Sequence, residues 1–139
     1  MKKRVPVSQI MTKNVITLST KDDLATAEEL FKKHRIRHIP VTSGSEVIGM
    51  LSYTDLMRIS FADAIDEKEQ EVDSMVYNMF TINQVMAKNV VSVSATTTIQ
   101  EVAEILAKKE FHALPVVENE ALVGIITTTD LINYLLEQY

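Results

Sequence analysis

The sequence contains no cysteine, which removes disulfide stapling, thiolate catalysis and every cysteine-ligated zinc or iron–sulfur site. Glycine is nearly as scarce: three residues, at positions 44, 49 and 124, cannot build a Gly-x-Gly-x-x-Gly turn or a Walker A loop, so Rossmann-type and P-loop chemistry is excluded. Long apolar runs are missing too. Met1-Lys2-Lys3-Arg4 is followed by Val5-Pro6-Val7-Ser8-Gln9 rather than by a hydrophobic stretch, and Ala121–Ile126 spans only six residues. Neither a signal peptide nor a membrane span is therefore expected, and the cytoplasm is the expected location. Nor is there a basic face for duplex DNA: the net charge is −5 and unevenly placed. Residues 63–73 hold six acids against Lys68, residues 1–62 carry ten basic and six acidic side chains, and residues 74–139 carry three and seven. Any anion site leans on the first half.

What is present is an ordinary globular composition, 46% hydrophobic and 24% charged over 139 residues, enough for one core or two small ones. It is also a repeat. At an offset of 75, Met11 matches Met86, Lys13-Asn14-Val15 matches Lys88-Asn89-Val90, Ser19 matches Ser94, Pro40-Val41 matches Pro115-Val116, and Thr54-Asp55-Leu56 matches Thr129-Asp130-Leu131. With Gln9/Gln84, Glu29/Glu104, Lys33/Lys108 and Gly49/Gly124, fourteen identities fall across 8–57 and 83–132 without an insertion. This is a duplicated unit.

Each copy reads alike. Val15–Leu18 and Val90–Val93 are rich in β-branched residues and predict short strands. Leu24, Ala27, Leu30 and Phe31, like Ile99, Val102, Ile105 and Leu106, have the spacing of one buried helix face. Thr98 with Glu101 predicts a capping box, and Thr20 with Asp23 a weaker one. Strands are expected around Pro40 and Pro115, then again through Val47–Leu51 and Leu122–Ile126, with Asp55 and Asp130 at the N-cap of a second helix. The expected fold class is α/β (α+β): two tandem β-α-β-β-α repeats packed with pseudo-two-fold symmetry. Boundaries fall at 1–62 and 81–139, joined by an acidic helical connector, 63–80, whose Val72, Met75, Val76, Met79 and Phe80 form an apolar stripe.

The run Met11–Leu18, an amphipathic helix, His34-Arg35-Ile36-Arg37-His38-Ile39-Pro40-Val41, and Gly49-Met50-Leu51-Ser52-Tyr53-Thr54-Asp55-Leu56 resembles a CBS domain, the cystathionine-β-synthase-type motif. Met86–Val93, Phe111–Val117 and Gly124–Leu131 resemble it equally, so 7–62 and 81–139 resemble a CBS pair (Bateman module). The resemblance implies a regulatory module that binds an adenosyl ligand (AMP, ADP, ATP or S-adenosylmethionine) between the repeats. It implies Asp55 and Asp130 as acceptors for ribose hydroxyls, a role that suits a carboxylate facing two vicinal donors. Ser52, Thr54, Thr127, Thr129, Arg37, His38 and His112 would meet phosphate or ribose, and Thr17 and Ser92 the base. Homodimerisation through the helices beginning at Asp55 (Leu56, Met57, Ile59) and Asp130 (Leu131, Ile132, Leu135, Leu136) is expected as well.

Plainer readings stand beside these. Asp55 and Asp130 cap helices whether or not a ligand binds, and Arg35 and Arg37 suit a solvated helix end. His34 and His38 are four apart, but Pro40 argues against a shared helix face, so no metal site is expected. No nucleophile has an evident base and orienter, and neither catalysis nor a cofactor is expected. With no output domain in the chain, the expected partner is a separate effector protein or a second copy. The competing reading is a ligand-free structural or dimerisation module; a small enzyme is the third.

Overall fold

The computed structural model describes residues 4–63, 79–109 and 111–139, with side chains from 60 to 63 left aside. The chain forms two compact units: a first of residues 16–89, and a second that joins residues 1–15 to residues 90–139. Both are mixed α/β, each built on a small antiparallel sheet.

In the first unit, helix α1 (Leu24–His34) starts where the Asp23 carboxylate accepts the Thr26 N–H at 2.7 Å. This hydrogen bonding, first from the Thr26 side chain and then from its backbone, holds the Asp23 carboxyl below its ordinary value. Ser19 N–H bonds the neighbouring Asp22 carboxylate instead, so the cap is Asp23 and not the expected Thr20. Leu24, Ala27 and Phe31 are buried along one face. The helix stops at Arg35, which takes a left-handed φ of 53°. Strand β1 (His38–Ser43) then pairs with β2 (Glu46–Ser52), His38 facing Ser52 and Ser43 facing Glu46, with a bulge after Val41. Helix α2 (Tyr53–Asp63) follows directly.

The expected strand at 15–18 shrinks to one bridge, Leu18 to Val41. Leu18 N–H donates to Pro40 O at 3.1 Å and Thr42 N–H to Leu18 O at 2.8 Å. Extending this parallel ladder would require an N–H from Pro40 toward Ile16, and proline has none. Pro115 limits the second copy in the same way, leaving only Val93 bridged to Val116. On the other side of β2, Ala87 and Met50 exchange two hydrogen bonds of 2.9 and 3.0 Å. Their segment follows helix α3 (Ile82–Val85), whose Thr81/Gln84 capping box is complete. Leu18, Leu24, Phe31, Ile39, Val41, Leu51, Leu56, Ile82 and Met86 make the core.

The second unit repeats the plan. Helix α4 (Ile99–Lys109) carries the expected Thr98–Glu101 box, with Glu101 N–H to Thr98 Oγ1 at 3.1 Å and Thr98 N–H to Glu101 Oε1 at 3.3 Å. Strands β3 (Ala113–Glu118) and β4 (Ala121–Thr127) pair through a tight turn at Asn119 and Glu120, both at positive φ. Helix α5 is Thr128–Glu137. The place taken by Met86-Ala87 in the first unit is filled here by Met11-Thr12: Thr12 exchanges two 2.9 Å bonds with Ile125. Val7 is fully buried among Val93, Val102, Leu114, Val116 and Ile126.

Val72, Met75 and Val76 of the expected connector stripe lie outside the described residues. Phe80 packs on the first core, whereas Met79 is 70% exposed, against expectation. Leu56, Met57 and Ile59 turn out to be used by their own core. On α5, by contrast, Ile132, Leu135 and Leu136 stay exposed.

Candidate functional site

The residues singled out in the first copy meet at one end of the first sheet. Because β1 and β2 run antiparallel with His38 opposite Ser52, the start of β1 adjoins the end of β2, and the Tyr53 N–H donates to the Arg37 carbonyl at 2.8 Å. The chain approaching Leu18 runs parallel to β1, which brings Thr17 to the same end. Thr17, Arg37 and Thr54 are exposed; His38, Ser52 and Asp55 are half-buried.

Helix α2 begins at this end, and its cap differs from the expected one. Ser52 Oγ accepts the Asp55 N–H at 3.0 Å, making Ser52 the cap and Asp55 the third helical residue. The strand pairing fixes this choice, since β2 runs through Ser52. The Asp55 carboxylate is thereby relieved of capping. Its Oδ1 lies 3.4 Å from Arg58 Nη1, one turn further along α2. Arg58 was not among the expected site residues, although its i+3 spacing from Asp55 signals such a pair.

The second unit assembles Ser92, His112, Thr127, Thr129 and Asp130 in the same manner. Ala113 faces Thr127, and the Thr128 N–H and hydroxyl reach the His112 carbonyl at 3.0 and 3.4 Å. Ser92, one residue before the Val93 bridge, takes the position of Thr17. Here too the cap is not the aspartate but Thr127, which closes a box with Asp130: Asp130 N–H to Thr127 Oγ1 at 3.1 Å, Thr127 N–H to Asp130 Oδ2 at 2.9 Å. His112, Thr129 and Ser92 are exposed, and Thr127 and Asp130 half-buried.

Each unit thus presents a half-buried aspartate beside hydroxyls and the N-terminus of a helix. Such a set can accept hydroxyl donors at the carboxylate and offer donors to an anion. Among the described residues, no cluster of three or more histidines, aspartates and glutamates could hold a metal ion. None of the described helices is long and apolar enough to cross a membrane.

The CBS domain family model matches residues 7–62 and 82–137. The sequence is 31% identical over 131 residues to protein MJ1225 of Methanocaldococcus jannaschii, covering 94% of this chain and 42% of that relative. The chain thus spans less than half of that relative's length. Its fold matches the CBS domain pair of MJ0100, solved in complex with 5′-methylthioadenosine and S-adenosyl-L-methionine, with a TM-score of 0.81 and 22% identity, covering 99% of this chain and all of the other. It also matches CBSX2, solved in complex with AMP, with a TM-score of 0.79 and 20% identity over 96% of this chain and 97% of the other. The duplicated bridge–helix–hairpin–helix plan and both matched segments make this chain a member of the CBS domain family, carrying two copies in tandem.

Proposed function

We propose that the chain is a regulatory module whose two units bind an adenosyl ligand, Asp55 and Asp130 accepting ribose hydroxyls, and that binding is passed to a partner as a conformational change. The observation that carries this reading is the duplicated placement of a half-buried carboxylate at the third residue of a helix, beside the start of β1 or β3. At the third position Asp55 is not used as the cap, and Asp130, although one oxygen closes the box with Thr127, keeps acceptor capacity on the other. The complexes of MJ0100 and CBSX2 with adenosyl compounds support the ligand class. Ser52, Thr54, Arg37 and His38 in one unit, and Thr127, Thr129 and His112 in the other, supply donors for ribose or phosphate, with Thr17 and Ser92 near the base. The proposal includes no catalytic step and no cofactor.

The same reading takes the working form as a cytoplasmic homodimer, with α5 contributing Ile132, Leu135 and Leu136 to the interface. A thermal-shift series with AMP, ATP and S-adenosylmethionine tests the ligand. Binding confined to the folded state contributes about 2.7 kcal/mol at 100 times the dissociation constant. An unchanged Tm with all three compounds at millimolar concentration refutes the adenosyl reading and leaves the dimerisation module. A light-scattering mass of 15.6 kDa at micromolar concentration refutes the dimer.

A further inference from the structure

The repeat gives both units an aspartate at the same helical position but not the same neighbour. Asp55 Oδ1 lies 3.4 Å from Arg58 Nη1, with the arginine side chain 74% exposed and the aspartate 27%. An exposed pair of this kind stabilises a fold little, so packing does not explain why an arginine stands there. Seventy-five residues on, its place is taken by Asn133, and Asp130 turns one oxygen to its own helix cap. No cation pairs with Asp130 among the described residues. Further differences have the same sign: Arg37 stands where the second copy has His112, and His38 where it has Ala113.

We infer that Arg58 sets the ligand charge accepted by the first unit. This rests on the proposed role of Asp55 and Asp130 as ribose acceptors. A carboxylate that holds a ribose lies close to any phosphate on that ribose, and two unit charges about 6 Å apart repel enough, even in a water-like medium, to cost about threefold in affinity. Arg58 cancels the Asp55 charge. Its guanidinium has five N–H donors, so it can keep one on Asp55 and turn others to a phosphate. The first unit therefore takes a phosphorylated adenosyl ligand. The second unit, with neutral Asn133 at that position, keeps the uncompensated charge of Asp130 and takes an uncharged or cationic adenosyl compound.

Calorimetry on the full chain, with AMP and adenosine as probes, tests this. In an Asp130→Asn background, which keeps an acceptor for the Thr127 N–H, Arg58→Ala is expected to weaken AMP about three- to tenfold and to leave adenosine within about twofold. The mirror variant, Asn133→Arg in an Asp55→Asn background, is expected to strengthen AMP relative to adenosine by a similar factor. Circular dichroism melts check that each variant is folded; Arg58 and Asn133 are exposed, so no loss of fold is expected. Binding of both probes with a ratio that neither substitution moves overturns the assignment of Arg58 while leaving the adenosyl sites standing. A wild-type chain that binds neither probe overturns the adenosyl reading itself, and this inference with it.

Discussion

Replacing Gly49 by alanine tests how the edge segment is held. A Cβ at this position would overlap the Met86 thioether sulfur and lie 2.9 Å from Met86 Cγ and 3.0 Å from the Ala87 carbonyl oxygen. The methionine side chain can swing, but it is 7% exposed and has core neighbours on its other sides. The carbonyl has less freedom, because Ala87 and Met50 exchange two hydrogen bonds across the same gap. Overpacking of this kind costs about 1–3 kcal/mol, which with a urea slope of about 1–3 kcal/mol/M moves the unfolding midpoint by roughly 0.3–3 M. Met86→Ala alone opens a cavity and costs about 2–5 kcal/mol. In the double variant the alanine Cβ enters space the methionine vacated, so the combined cost falls below the sum by about 1 kcal/mol or more. Equilibrium urea unfolding of the four proteins measures the cycle. A Gly49→Ala midpoint equal to wild type, or strict additivity with Met86→Ala, refutes the close approach as the reason for glycine.

Asp23→Ala is expected to lose about 1 kcal/mol at pH 7 with the α1 cap. Because the folded carboxyl titrates below its ordinary value of 3.8, its charge-dependent contribution is full above that pH and is lost as pH falls through the lower folded value; melts of variant and wild type should therefore draw closer in acid, and a gap that does not narrow as pH is lowered below 3.8 refutes the cap. Thr127→Ala is expected to cost about 1 kcal/mol through the α5 box while Thr127→Ser keeps most of it, and equal melting temperatures for all three proteins would exclude that role.

The elements were legible wherever one physical preference dominated. The apolar spacing of Leu24, Ala27 and Phe31 admits only one buried helix face, and the Thr98–Glu101 pair is satisfied by only one register. Caps were misread where several cap-forming residues cluster. Ser52, Thr54 and Asp55, or Thr127 through Asp130, each offer more than one starting point, and the choice falls to tertiary pairing: the facing of His38 with Ser52 and of Ala113 with Thr127 ends the strands where the caps must stand. The candidate site inherits this. Its aspartates were visible as residues, but the freedom of Asp55 from capping, the use of one Asp130 oxygen in the box with Thr127, and the approach of Arg58 to Asp55 depend on that register.

The edge segments were illegible for a different reason. Met11-Thr12-Lys13-Asn14-Val15 and Met86-Ala87-Lys88-Asn89-Val90 are nearly the same sequence, and each of Gly49 and Gly124 accepts a methionine, so the pattern cannot assign segment to sheet. In the structure Met86 lies on Gly49 but Met11 lies on Gly124, each methionine serving the other copy's glycine. Bonds beyond the repeated stretch fix the second assignment: Val7 N–H to Thr97 O at 2.7 Å, Ser8 N–H to Ala95 O at 3.2 Å and Ile99 N–H to Val5 O at 2.9 Å. The chain consequently leaves one unit for the other between Val15 and Ile16 and again between Asn89 and Val90, shortly before Thr17 and Ser92. Gly124→Ala meets Met11 Sδ at 2.5 Å and Thr12 O at 3.0 Å, the same obstruction as Gly49→Ala, but through partners the first contact does not share. The two substitutions should each cost about 1–3 kcal/mol and add to within about 0.5 kcal/mol. A combined cost that departs from the sum by more than about 1 kcal/mol would show that the two glycines share one partner, and would refute the exchange of segments as two separate contacts.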